Sequence, residues 1–127
     1  MSEAATLDHL DLNVAIGLYR ITSAGPTMYY LDLDSKPHLC MRSPRPGTRS
    51  RGLTDGMWAP LLRVRSLAAD GSGTAGFVRV GERPYWELNA GDQIVWWIQR
   101  QVTAITPVTE DEQLSVDPVE SGPEITT

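Results

Sequence analysis

Lysine is all but missing from this chain. Lys36 is the only one among eleven basic residues, and no cation of either kind occurs before Arg20 or after Arg100. Cysteine is equally scarce. With Cys40 alone, no intrachain disulfide forms, and nothing suggests an oxidising compartment. His9 and His38 are the only histidines, too few for a zinc site beside one cysteine. No apolar run approaches the roughly 20 residues of a membrane span. The opening MSEAATLDHLDLNVAIG carries carboxylates where a secretory signal needs a cationic start and an apolar stretch. These absences predict a soluble, cytoplasmic protein without an anchor.

Motifs of catalysis are missing too. There is no GxSxG elbow, and no oxygen-rich DxDxDG loop for a divalent cation. Gly71-Ser72-Gly73 lacks the lysine and following helix that a phosphate-cradling loop needs. No segment repeats at a constant period, which removes solenoids and propellers. The expectation is a protein that is not an enzyme and takes no cofactor.

What is present is sorted by charge. Residues 14–108 hold all eleven Arg and Lys against seven of the sixteen Asp and Glu, a net charge of +4, whereas the whole chain carries −5. The remaining carboxylates sit in two flanks: Glu3, Asp8 and Asp11 before the body, and Glu110, Asp111, Glu112, Asp117, Glu120 and Glu124 after it. The division predicts a flexible acidic flank over 1–13, one β domain over 14–108, and a disordered acidic tail over 109–127. Leu7, Leu10 and Leu12 offer the first flank a short helical turn against the body.

Within the body the apolar residues recur with a period near two, broken by Gly, Pro, Asn and Asp at intervals that suit short strands. Leu18–Ile21, the turn Ser23-Ala24-Gly25-Pro26 and Thr27–Asp34 read as a hairpin. In its second strand Tyr29, Leu31 and Leu33 share one face, and Tyr30, Asp32 and Asp34 the other. His38–Met41 gives a third strand. Residues 42–51, with two prolines and four arginines, read as an exposed loop. In Trp58–Ser66 the alternation sets Leu62 and Val64 inward and Arg63 and Arg65 outward, with Pro60 marking an edge or a bulge. Asp70–Gly73 reads as a turn, and Phe77–Val80 and Tyr85–Leu88 as two further strands.

The last segment, Ile94–Thr106, is long for one strand. Its alternation groups Ile94, Trp96, Ile98, Val102 and Ala104 on the buried side and Trp97, Gln99, Gln101 and Thr103 on the other. Arg100 interrupts the buried row, so a bend there lets one segment serve two sheets. The fold expected is all-β, a small antiparallel barrel or sandwich of six or seven strands.

Three groups of side chains are candidates for chemistry or binding. Asp32 and Asp34, two apart, suit acid–base work or a cation, although exposed carboxylates on a half-buried strand are ordinary. His38 and Cys40 have the spacing of an imidazole–thiol pair, but packing accounts for a lone cysteine better. The third group is cationic and aromatic: Arg42, Arg45, Arg49 and Arg51 in one loop, Arg63, Arg65 and Arg79 on outward strand positions, with Tyr30, Phe77, Tyr85 and Trp97. Arg, Trp and Tyr are common anchors of protein interfaces, and the same set stacks bases and meets phosphates.

In GLYRITSAGPTMYYLDLD, GLTDGMWAPLLRV and VTAITPV the chain resembles small proteins encoded by actinobacteria and their phages, over most of residues 16–108. The resemblance implies no activity and no site residue. It implies a setting, a phage or prophage gene product inside a bacterial host. The function expected is therefore binding without chemistry: an accessory protein that engages a host or phage protein, or itself as a homo-oligomer. Single-stranded nucleic-acid binding stands second, and a metal-dependent hydrolase or nuclease using Asp32 and Asp34 third.

Overall fold

Gly17 and Asp34 close the first hairpin at its base. The Gly17 amide donates to Asp34 Oδ1 (3.0 Å), while its carbonyl accepts from Leu33 (2.8 Å). The backbone there needs φ near +101°, which only glycine adopts without strain. In the computed structural model, which describes residues 7–43 and 56–108, this hairpin belongs to an antiparallel all-β fold without any helix among the described residues. Ten strands are present among the described residues: β1 (His9–Asp11), β2 (Leu18–Ser23), β3 (Met28–Asp32), β4 (Leu39–Ser43), β5 (Ala59–Leu67), β6 (Gly73–Ala75), β7 (Phe77–Arg79), β8 (Arg83–Asn89), β9 (Ile94–Ile98) and β10 (Val102–Pro107).

Eight strands form one sheet in the order β10-β2-β3-β4-β5-β8-β9, with β6 added to β5. The two ends of that order, β9 and β10, are separated in sequence only by residues 99–101. The sheet therefore curls until its ends are joined by chain, although β9 and β10 do not pair and the barrel stays unclosed. This is the bend that Arg100 marks in the sequence: β9 serves the β8 edge and β10 the β2 edge.

The seam between them is held by Gln99. Its Oε1 accepts from the Trp86 indole (3.1 Å) and its Nε2 donates to the Ile21 carbonyl (3.1 Å), so one side chain ties β8 to β2. Gln99 is almost fully buried, with both ends of its amide satisfied by protein. The hydrophobic core includes Trp86, Tyr29, Ile21, Leu31, Cys40, Leu88, Val102 and Ile105; the Trp86 and Tyr29 rings stack at 5.1 Å.

β1 and β7 form a separate two-stranded ribbon, which contributes Leu10 and Val78 to the core. The sequence assigns residues 7–13 to a flexible flank or a helical turn. The structure corrects both, since His9–Asp11 pairs with Phe77–Arg79 and Leu12 is buried. The physical reason is spacing: Leu10 and Leu12 lie two apart, so the extended chain buries both in the core cluster. The tail at 109–127 lies outside the described residues.

Two inward rows differ from those read in the sequence. In β5 the register against β8 shifts between Leu61 and Arg63, so Leu61 packs on the core and Val64 resumes the inward row, leaving Leu62 45% exposed. The bulge absorbs one residue and inverts the alternation around it. In β9 the whole phase is reversed. Val95 and Trp97 pack inward with Gln99, whereas Ile94 (63%), Trp96 (59%) and Ile98 (41%) are exposed. The cross-strand pairs Trp86↔Trp97 and Glu87↔Trp96 fix this, because directly opposed residues share a face and Trp86 is in the core.

Candidate binding face

The carboxylates of Asp32 and Asp34 serve the backbone. Asp32 Oδ1 accepts from the amides of Asp34 (3.0 Å) and Ser35 (3.2 Å), its Oδ2 accepts from the Ser35 hydroxyl (2.8 Å), and Asp34 fastens Gly17. These are turn-forming roles. Among the described residues no three His, Cys, Asp or Glu side chains gather as a metal site.

Cys40 is fully buried in the core, and that burial drives its thiol pKa far above the ordinary value of 9.0. The sign of the linkage follows. Above about pH 9 an unfolded thiol loses its proton and the folded one keeps it, so the unfolded state binds fewer protons and stability falls as pH rises. The Cys40 contribution to the slope approaches about 1.4 kcal/mol per pH unit well above pH 9, and Cys40→Ala should remove that contribution. Urea denaturation between pH 8 and 10.5 measures this; equal slopes for the two proteins would contradict it.

The cationic and aromatic residues do not form one face. Arg45, Arg49 and Arg51 lie outside the described residues. Arg42 is in β4 rather than a loop, and its guanidinium sits over the Trp97 ring, 4.0 Å from the centroid, at the inner side of the sheet. Trp97 is correspondingly inward, with its indole Nε1 buried and without a hydrogen-bond partner among the described residues. Tyr30 does point away from the core, but it is only 9% exposed. Its cross-strand neighbours, Arg20 and the buried Met41, flank it on both sides. Phe77 and Arg79 are on the β1–β7 ribbon, where Arg79 covers the Phe77 ring at 4.9 Å and donates to Thr74 Oγ1 (3.1 Å).

What remains together is Arg63, Arg65 and Tyr85. Arg65 pairs with Tyr85 across β5 and β8, and Arg63 with Glu87; both arginines are exposed. Glu87 sits in the middle, 3.7 Å from Arg63 Nε and accepting from the Tyr85 hydroxyl (2.8 Å). That hydrogen bond, with some desolvation and the negative charge of Glu87, holds the Tyr85 phenol above its ordinary pKa. The Arg63–Glu87 pair is exposed on the arginine side and adds little stability.

The reversed phase of β9 brings three unforeseen residues to this face. Trp96 lies 6.0 Å from the Tyr85 ring and is flanked by Ile94 and Ile98. The outer surface of β5, β8 and β9 thus runs from two arginines through a tyrosine to an Ile-Trp-Ile stripe, and β9 is the end strand of its sheet. A groove of about 580 Å³ borders the arginines on the other side, lined in part by Asn13, His38, Leu62 and Gly76, where the β5 bulge separates the β4 and β6 pairings.

Compared with known proteins, the chain matches no family model, no curated protein and no solved structure.

Proposed function

We propose that this protein is a non-catalytic binding module of the phage or prophage accessory kind, which engages a host or phage protein, or a second copy of itself, through the outer face of β5, β8 and β9. The observation that carries this is the exposed Ile94–Trp96–Ile98 stripe on an end strand, beside Tyr85, Arg63 and Arg65. An end strand with a large apolar stripe is a liability unless something covers it, and Trp, Tyr and Arg are the residues that anchor protein partners. An extended segment of a partner adds naturally to such an edge. The phage and actinobacterial setting rests on the resemblance of the strand motifs.

Single-stranded nucleic acid is the second reading. It is favoured by Arg65 standing opposite Tyr85, with Trp96 next in line to stack bases. Glu87 at the centre of the face and the net charge of −5 oppose it.

A photo-cross-linker tests both. With p-benzoylphenylalanine in place of Trp96, irradiation in host lysate is expected to give a protein adduct well above that from the same group in place of Val14, which is exposed but lies off the face. An adduct that nuclease removes would favour the second reading. Equal yields at the two positions would overturn the assignment of this face.

A further inference from the structure

We propose that two copies of this chain pair edge to edge through β9, antiparallel, about a two-fold axis at Trp96. The proposal rests on the reading of this face as a docking surface and names its occupant.

The backbone sets which groups are available. Ala90 donates to the Gln93 carbonyl (2.8 Å) and Gln99 donates to the Pro84 carbonyl (2.9 Å), which brackets β9 in the ladder with β8. In an antiparallel pair the hydrogen-bonding residues alternate, so Val95 and Trp97 turn their N–H and C=O toward β8. Those of Ile94, Trp96 and Ile98 point to the other edge. No strand pairs with that edge among the described residues.

The sequence 92–100, DQIVWWIQR, is self-complementary about its centre. A two-fold axis at Trp96 sets Trp96 against its own copy, Ile94 against Ile98, Gln93 against Gln99, and Asp92 against Arg100. The parity is right as well: Ile94, Trp96 and Ile98 all carry outward-pointing backbone groups, so each opposed pair exchanges two hydrogen bonds. Both ends close with opposite charges. Asp92 and Arg100 are exposed, and neither has an ion-pair partner among the described residues. Between them β9 carries no charge, proline or bulge, the devices by which monomeric sheets protect an edge. An isologous contact of this kind closes on itself and stops at two copies.

A five-residue ladder buries less than the ~1,200 Å² of a standard interface, so the dimer is expected to be micromolar or weaker. Sedimentation equilibrium of the full chain should give a mass that rises with concentration from the 14.0 kDa of one chain toward twice that value. Trp96→Lys, at an exposed position, should leave the far-ultraviolet spectrum unchanged and weaken association at least tenfold. Asp92→Arg and Arg100→Asp should each weaken it, because like charges then meet at both ends. Mixing these two variants should restore association as a heterodimer, since both ends become complementary again.

A mass of one chain throughout, a dimer untouched by Trp96→Lys, or a mixture no better than its components would each overturn the proposal. If the chain stays monomeric while the cross-linker at position 96 captures a different protein, self-pairing fails and the docking face stands. If both experiments are silent, the face itself is wrongly assigned.

Discussion

Gln99→Leu is expected to lower the unfolding free energy by about 2–5 kcal/mol, a large share of what a domain of this size holds in reserve. Leucine fits the volume but carries no polar group. The Trp86 Nε1 and the Ile21 carbonyl, both served by Gln99, would then be desolvated without partners, at about 1–3 kcal/mol each. Apolar transfer returns part of that. Because the two partners sit on β8 and β2, the damage falls on the seam where the curled sheet is joined by chain and not by a ladder. Gln99→Glu separates hydrogen bonding from shape. A protonated glutamic acid can accept from Trp86 and donate to Ile21, whereas a carboxylate cannot donate and is charged in the core. Burial raises the folded-state pKa of such an acid, so its stability is retained at low pH and lost as pH rises through that value. Urea midpoints at pH 4 and pH 7 should show Gln99→Glu close to the parent at the lower pH and well below it at the higher. A midpoint for Gln99→Leu within about 0.5 kcal/mol of the parent would mean the seam is held by something else.

The β2–β3 hairpin was legible in sequence because Tyr29, Leu31 and Leu33 alternate with polar or turn-forming residues, so only one phase buries the apolar set. The break near Arg100 was legible for the same reason: a charge in an apolar row has to leave it. In β9, IVWWI, both faces are apolar, and periodicity cannot choose between them. The choice is made by Trp86, which demands Trp97 beside it in the core, and by Gln99, whose amide has two buried partners waiting. The same blindness to neighbours explains Tyr30, covered by residues on two other strands, and Leu62, displaced by a bulge that no local signal but Pro60 announced. Leu10 and Leu12 were hidden by the carboxylates around them. Of the candidate face, Arg63, Arg65 and Tyr85 could be read directly, because charge assigns an arginine to the outside. Trp96 could not, because the alternation of the last segment assigned it to the buried row.

Trp86→Ala is expected to cost about 3–5 kcal/mol, enough to leave the fold marginal or unfolded at 37 °C. Trp86 has no solvent exposure, stacks on Tyr29 and lies across from Trp97, so its removal opens a cavity between two rigid rings that cannot collapse freely. Trp86→Phe keeps most of the apolar contact and loses the indole N–H, leaving Gln99 Oε1 buried without a donor; it should cost less than alanine but more than a volume-conserving exchange. The coupling is the sharper test. Once Trp86 is alanine, Gln99 has already lost one of its two partners and the cavity admits water to its amide, so adding Gln99→Leu should cost about 1–3 kcal/mol less than it does in the parent. Thermal or urea unfolding of the four proteins, done at low temperature to keep the double variant folded, gives the cycle. Strict additivity would show that stacking and seam are independent, and that the core and the join between β8 and β2 are not one cooperative unit.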